Sequence, residues 1–230
     1  METSLHRQLK ALYAGDDGEV EVRFGRHRID VVRSGRLYEI QHASLAAIRR
    51  KIVDLLASHR VVVVKPIVVD KFVVQLDGPQ GRVVRRRLSP KHGKLLDVFE
   101  SLVYFARVFP HRRLAIEFPL VTLEEMRRPG HGRRRRWRAN DHVVVDQTLV
   151  EIRETVHLRA ANDLWTVLPE KLRTQFDTAE LAAMAGVRRH VAQRIAYCLL
   201  HCGAVRHVAN RGNARVYEPM PARSRKRCAA

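Results

Sequence analysis

The residues of this chain that could carry out chemistry lie on a predicted β-hairpin between residues 28 and 41. Ser34-Gly35 separates two alternating apolar runs, and a two-residue loop containing glycine is typical of a hairpin. Pairing outwards from this loop puts Asp30 opposite Glu39, and directly paired residues share one face. We therefore expect Asp30, Glu39 and Gln41 to project from one face. The apolar side chains are expected on the other face, towards the core: Ile29, Val31, Tyr38 and Ile40.

The opposed carboxylates of Asp30 and Glu39 repel each other and therefore need a cation. Arg28 in a structural salt bridge could supply it, and so could a divalent metal ion in a catalytic site. A third acid, Glu2, lies three residues before Leu5 on the apolar stripe of the first predicted helix. Glu2 either complements the helix dipole or points into the surface on which the helix packs.

The elements that must position these side chains can be predicted from hydrophobic periodicity. Ser44 is a plausible N-cap of the helix that follows the hairpin. Because a strand, this helix and a buried strand follow one another between residues 36 and 65, we expect a parallel strand pair within a mixed sheet. The fold class is therefore α/β. The predicted elements are a helix at 2–14, strands at 19–24, 27–33 and 36–41, a helix at 44–58 and strands at 61–64 and 71–76.

The middle of the chain, residues 78–158, combines basic segments with a predicted helix at 93–107 and extended segments at 114–121 and 142–153. One basic segment runs from Arg82 to Lys94. Another, from Arg127 to Arg138, contains Trp137, which could stack on a base or anchor a loop. This region is interpreted either as an extension of the first domain or as a connector.

Residues 159–219 have a different pattern. Asp177 to Glu180 is similar to a capping box that opens a helix, and Gly186-Val187 makes a turn. A second helix is predicted at about 188–201, followed by a hairpin around Asn210–Asn213. Residues 220–230 form a basic tail that is expected to be disordered.

Composition favours an anionic partner. Lys and Arg number 43 against 24 Asp and Glu, which gives a net charge of +19 and a pI near 11.0. Nucleic acid is the expected partner, and no membrane association is expected because no apolar run approaches the ~18 residues of a membrane span. The N-terminal residues lack the pattern of a signal peptide, and three cysteines provide no disulfide framework. We therefore expect a cytoplasmic protein.

The C-terminal pattern of helix, glycine turn, helix and hairpin resembles a winged helix-turn-helix over about residues 160–218. This resemblance implies a recognition helix with a basic, polar face that contacts DNA. The wing turn at Arg211 could contact a backbone phosphate, and the alternative is a winged helix that makes protein contacts only. The recognition-helix residues are Arg188, Arg189, His190, Gln193 and Arg194.

Residues 2–76 resemble the PD-(D/E)XK nuclease superfamily in element order, in Asp30 and in the segment Glu39-Ile40-Gln41. The resemblance implies a restriction-endonuclease-like αβββαβ core, with residues 1–77 as its domain. It also implies that Asp30 and Glu39 are ligands of Mg²⁺ (or Mn²⁺) and that Ile40 contributes its carbonyl. Glu2 would bind the metal directly or through water. The implied activity is metal-dependent hydrolysis of phosphodiester bonds in DNA.

Gln41 departs from the superfamily pattern, which usually has a lysine at this position. A neutral amide can position a water but cannot offset charge, and Lys51 on the next helix is the cation that could substitute. One leading hypothesis is a Mg²⁺-dependent DNA endonuclease, for which double-strand cutting would imply a homodimer. The other is a catalytically inactive nuclease fold that acts as a DNA-binding regulator. An RNA-binding protein is a third possibility.

Cys198 and Cys202 lie four residues apart on a predicted helix, with His201 and His207 nearby. They could bind zinc. Because the chain has no CxxC pair, packing of small apolar side chains is the preferred interpretation.

Overall fold

The computed structural model describes residues 2–78, 81–130, 142–170, 172 and 174–221. Five α-helices lie in these residues: α1 Ser4–Ala14, α2 Arg49–Leu56, α3 Val98–Leu102, α4 Thr178–Ala185 and α5 Arg189–His201. The same residues form ten strands: β1 Glu19–Phe24, β2 His27–Arg33, β3 Arg36–Ile40, β4 Arg60–Val64, β5 Ile67–Leu76, β6 Val83–Leu88, β7 Leu114–Pro129, β8 His142–Leu158, β9 Val205–Arg211 and β10 Ala214–Pro219. The predicted basic loop Arg133–Arg138, with Trp137, lies outside the described residues, as does the predicted tail beyond residue 221.

Strands β1 to β8 form one mixed sheet, which confirms the predicted α/β class. Strand β3 pairs in parallel with β4, as the strand-helix-strand pattern predicts. Strands β4 and β5 both pair in parallel with β7, β4 with its first residues and β5 with its later ones. They therefore run one after the other along the same edge of β7. Strand β8 pairs antiparallel with the opposite edge of β7.

The boundary predicted at residue 77 falls inside this sheet. Strands β7 and β8 belong to residues 78–158, and β7 joins β4 and β5. The sheet is therefore incomplete without β7 and β8, which lie in the same sheet as the strands of the predicted first domain. The predicted helix at 93–107 is shorter in the structure, where a 3₁₀ turn Leu95–Asp97 leads into α3.

The β2–β3 hairpin has the predicted loop and register. Ser34 and Gly35 adopt φ angles of 48° and 68°, the left-handed pair of a type I′ turn, and Arg33 pairs with Arg36. The ladder continues to Val31, which pairs with Tyr38.

The predicted division of faces is correct for Tyr38 and Ile40, which pack with the α1 side of the sheet, but wrong for Ile29. Ile29 packs with Leu37 on the opposite side. Strict alternation fails beside Asp30, where the neighbouring strand has Glu21 at φ 59° between two regular β1–β2 pairs. The carboxylate of Asp30 is directed at His6 of α1.

Apolar side chains cover both faces of the sheet. Helix α1 begins after Thr3, whose side chain accepts a hydrogen bond from the His6 amide. Its buried Leu5 and Leu9 pack on one face, against apolar residues of β3, β4 and β7. On the other face, α2 is preceded by a 3₁₀ turn, Leu45–Ile48, that Ser44 caps through the Ala46 amide as predicted. The two helices thus fix the ends of β2 and β3 from opposite sides.

The C-terminal elements follow the predicted order. Asp177 accepts hydrogen bonds from the amides of Ala179 and Glu180, and the Glu180 carboxylate accepts one from the Asp177 amide, which confirms the capping box. Gly186 ends α4 at φ 61°, α5 follows, and β9 pairs antiparallel with β10.

Helix α5 packs against α3 within the same apolar core as the sheet. Cys198 and Cys202 are buried there, with their thiols directed at the carbonyls of Phe99 and Ala106. Burial raises the pKa of Cys202 to about 12. The two cysteines are therefore packing residues, as preferred above. No helix within the described residues is long and apolar enough to cross a membrane.

Candidate active site

Asp30 lies where β2 meets the end of β3 and the first turn of α1. Its Oδ2 accepts a hydrogen bond from the Ile40 amide at 2.7 Å, and its Oδ1 lies 3.3 Å from Nε2 of His6. Burial tends to raise the pKa of Asp30, but the hydrogen bonds from His6 and Ile40, together with the charge of Lys51, hold it below its ordinary value. Asp30 is therefore an ionised carboxylate with its position fixed from two elements.

Glu39 is the more buried of the two hairpin acids, with 9% of its side chain exposed. Nζ of Lys51, on α2, donates to its Oε2 at 2.6 Å. Burial and the nearby charge of Asp30 nevertheless raise the pKa of Glu39 above its ordinary value. The two carboxylates thus influence each other electrostatically. However, the β2–β3 ladder ends at the Val31–Tyr38 pair, and the acids contact helices on opposite sides of the sheet, so the shared face predicted for Asp30 and Glu39 is not observed.

Arg28 does not supply the expected cation. Its guanidinium pairs with Glu21 on β1, whereas its backbone carbonyl accepts a hydrogen bond from Lys51. The basic side chains beside Asp30 and Glu39 are instead the imidazole of His6 and the ammonium of Lys51. Arg28 pairs with Arg23 of β1 in the β1–β2 ladder, and its side chain contacts the same strand.

Glu2 precedes the cap of α1 and joins the same polar group of residues. Its Oε1 lies 2.5 Å from Nζ of Lys10 and 3.7 Å from Nε2 of His6. Lys10 is buried and also binds Glu21 at 2.6 Å. Burial would lower the pKa of Lys10, but its two acidic partners raise it overall. Glu2 is thus connected to Asp30 through His6.

Gln41 follows β3 directly. Its side-chain amide donates to the Ser44 carbonyl at 3.2 Å, and its backbone amide donates to the Val64 carbonyl at 2.9 Å. The Gln41 side chain therefore turns towards the cap of the next helical turn. In its place, Lys51 is the cation that reaches the hairpin acids.

Ligands for a metal are limited in this arrangement. No group of three or more His, Cys, Asp or Glu side chains in the described part of the chain is arranged to hold a metal ion. The acids that could contribute oxygen ligands are Asp30 and Glu39. Because Mg²⁺ often binds through one or two carboxylates and keeps several waters, this pair fits it in chemical type.

Four of the predicted DNA-binding residues form an exposed group at the start of α5: Arg188, Arg189, His190 and Gln193. Arg194 is partly buried and lies 2.5 Å from Glu100 of α3. Arg211, at the β9–β10 turn, lies 3.5 Å from Glu180. The first turn of α5 is therefore the most accessible part of the predicted recognition face.

Sequence reasoning left the reach of Lys51 open and missed His6. Both lie on helices that meet the hairpin only through tertiary packing. The predicted helix at 2–14 included Glu2, but α1 begins at Ser4, so Glu2 lies before the helix and approaches His6 from outside it.

Comparison with known proteins finds similarity to a relative and to a family model, whereas no solved structure matches the chain. An uncharacterized protein of Treponema pallidum (strain Nichols) is 26% identical over 224 residues, which cover 96% of this chain and 86% of the relative. A family model matches residues 3–159, which is more than half of the chain. The chain therefore belongs to the family described as a domain of unknown function, DUF8091.

Proposed function

We propose that this protein is a metal-dependent DNA endonuclease whose fold is restriction-endonuclease-like and whose C-terminal winged helix holds the duplex. The observation that carries the proposal is the meeting of Asp30, Glu39 and Lys51 beside the parallel strands β3 and β4. Two carboxylates can hold a metal ion for phosphodiester hydrolysis, and an ammonium beside them can offset negative charge. They come together from two strands and a helix, with Lys51 2.6 Å from Glu39.

In this proposal Asp30 and Glu39 hold Mg²⁺ (or Mn²⁺), with the Ile40 carbonyl as a further ligand and Glu2 acting directly or through water. A bound metal ion lowers the pKa of a coordinated water and neutralises charge on the phosphate. Lys51 would position the attacking water and offset negative charge, and the second of these roles is one that the neutral amide of Gln41 cannot fill. The hydrogen bond from the Ile40 amide keeps the Asp30 carboxylate in place.

The proposed DNA contacts come from α5. Arg188, Arg189, His190 and Gln193 are exposed where its first turn could reach base edges or phosphates. Arg211 would contact the backbone from the wing. The net charge of +19 supports phosphate binding of this kind.

A second candidate function is DNA binding without catalysis. It is favoured by the ion pairs within the protein: Glu2 with Lys10, Asp30 with His6, and Glu39 with Lys51. Acids that are already paired need no metal to offset their charge. A catalytically inactive nuclease fold acting as a regulator would have such a network.

A plasmid-cleavage assay separates the two functions. We expect wild-type protein to cut DNA with Mg²⁺ and not with EDTA. Asp30→Asn and Glu39→Gln should each reduce the rate at least ~100-fold, because each removes a charged ligand. Asp54→Asn is the matched control, since Asp54 lies on α2 but pairs with Arg26 instead.

Cleavage that persists in both Asp30→Asn and Glu39→Gln would refute the site. DNA binding by wild-type protein without cutting of linear, supercoiled or branched DNA in Mg²⁺ or Mn²⁺ would favour the regulator.

A further inference from the structure

A cleft opens where β3 and β4 end, between the sheet and helices α3 and α5. It has a volume of about 470 Å³, and its lining includes His42, Lys65, Ser101 and Arg194. The imidazole of His42 lies 5.6 Å from that of His6, the partner of Asp30. The cleft is thus next to the proposed catalytic acids but is formed by different side chains.

Lys65 lies at the break between β4 and β5. The Gln41 amide binds the Val64 carbonyl, so the parallel register brings Lys65 beside Gln41. The Lys65 ammonium donates to the His42 carbonyl at 2.5 Å. Burial lowers its pKa, and no carboxylate of the described residues contributes to that pKa. A partly buried ammonium without an acidic partner is unusual in a structural role and favours an anionic ligand.

His42 adds a polar ring to the cleft. Its Nε2 is buried and has no hydrogen-bond partner among the described residues. A buried polar atom without a partner is costly, so a ligand that forms a hydrogen bond with this ring would be favoured.

Arg194 places a second cation at the opposite side of the cleft, on α5. It pairs with Glu100, which also lines the cleft, but a guanidinium has five N–H donors and this pair uses only part of them. Lys65 and Arg194 together exceed Glu100 by one positive charge. This excess of positive charge favours an anion that can accept hydrogen bonds from several donors at once.

We propose that this cleft binds a phosphate group of a nucleic-acid strand, adjacent to the phosphate that is cleaved, through Lys65, Arg194 and His42. This inference rests on the proposed function for the course of the strand, whereas phosphate binding itself can be measured without cleavage. The cleft lies between the sheet and α5. A phosphate bound there would therefore lie between the proposed catalytic acids and the proposed DNA-binding helix.

The first test uses inorganic phosphate and the full Asp30→Asn chain, which separates binding from cutting. With ¹³C-labelled lysine, we expect the Lys65 side-chain signal, assigned by its loss in Lys65→Met, to shift saturably as phosphate is added. The exposed Lys91 is the control and should show only a weak, non-saturating change. A Lys65 signal that does not respond to phosphate would overturn the proposal.

The second test measures binding of a short DNA duplex in EDTA as a function of salt. Lys65→Met should weaken binding and reduce the slope of log K against log salt by about 0.9, the contribution of one phosphate contact. Arg60→Met, at the opposite end of β4, removes an equal charge and should leave the slope unchanged. Equal slopes for Lys65→Met and wild type would count against the proposal.

A third variant changes Glu100, the exposed partner of Arg194, instead of a residue that would hold the phosphate. Glu100→Gln removes the acid that competes for Arg194 and should tighten phosphate binding by about 2- to 5-fold, the scale of a partly exposed ion pair. Unchanged or weaker binding would contradict the assignment of Arg194. If phosphate and DNA bind as expected but no variant or wild type cuts DNA, the cleft proposal stands and the nuclease proposal fails.

Discussion

Lys51 lies twelve residues after Glu39 in the chain, yet its ammonium reaches the Glu39 carboxylate at 2.6 Å. A helix that follows a loop can point in many directions, and only packing against the sheet decides which of its residues face the strand before it. Ile52, the next residue, is fully buried in that packing. The sequence could therefore name Lys51 as a substitute for a lysine at position 41 but could not establish its reach.

If Lys51 performs this role, its removal should stop cleavage without stopping DNA binding. We expect Lys51→Met to lower the cleavage rate at least ~100-fold, because the water loses its positioning group and Glu39 loses its cation. Adding Gln41→Lys to Lys51→Met should restore part of the activity. The readouts are single-turnover cleavage and DNA affinity in EDTA, with Lys91→Met as the exposed control. Wild-type cleavage by Lys51→Met would assign the role to another group.

For the other site residues too, contacts within the hairpin could be predicted from sequence, whereas contacts made through tertiary packing could not. The register from Arg33–Arg36 to Val31–Tyr38 could be predicted from sequence because a two-residue loop fixes the register of the strands beside it. The partners His6 and Lys51 could not, since both approach from helices on opposite sides of the sheet. The prediction for Arg28 was wrong because its guanidinium pairs with Glu21 of β1, a strand that the hairpin register alone does not place.

At the scale of elements, the structure agrees best with sequence patterns that depend on neighbouring residues. The Ser34-Gly35 turn, the Ser44 cap and the Asp177 capping box each need only a few adjacent residues. The position of β7 depends on strands about fifty residues earlier, and no local pattern encodes that pairing. For this reason the middle of the chain could be read as strands but not placed in the sheet.

The capping box of α4 gives a pH-dependent prediction. Hydrogen bonds from the amides of Glu180 and Ala179, with the charge of Arg211, hold the pKa of Asp177 below its ordinary value. The resulting stabilisation is present above the unfolded pKa of about 3.9 and is lost as pH falls through the lower, folded pKa. We expect Asp177→Ala to reduce the free energy of unfolding by about 1 kcal/mol at neutral pH.

Urea unfolding from neutral to strongly acidic pH tests this expectation. The difference between wild type and Asp177→Ala should shrink only below the ordinary pKa of an aspartic acid. Asp17→Ala, an exposed acid that pairs with Arg33, provides the comparison. A difference that stayed constant down to the lowest pH would mean that the charge of Asp177 contributes nothing to the cap.

At the scale of the whole molecule, one apolar core links the sheet to the C-terminal helices. Val63 of β4, Phe99 of α3 and Leu199 of α5 are fully buried members of the same cluster. The family match ends at residue 159, just after β8, but the core continues beyond it. The C-terminal elements are therefore part of the same packed structure as the region that defines the family.

Because the core is continuous, a mutation that weakens the packing of α5 should also destabilise the sheet. Leu199→Ala should destabilise the protein by about 2–5 kcal/mol, the usual cost of removing a buried leucine side chain. Hydrogen exchange should then accelerate in β4 as well as in α5. Gln193→Ala, at an exposed position of the same helix, should change neither. Faster exchange confined to residues 178–219 would show that the two regions unfold separately.

The position of β7 in the sheet also has a consequence for folding during protein synthesis. During synthesis, β4 and β5 leave the ribosome before residues 114–129, the strand along which both are paired in the folded protein. Until then Val61–Val64, a run of four buried β-branched residues, has one open strand edge. Such an edge attracts other unfinished chains and is a hazard during slow, long-range strand pairing. The nascent protein therefore has a period of exposure to aggregation, and a chaperone that binds extended apolar segments would protect it until β7 is added.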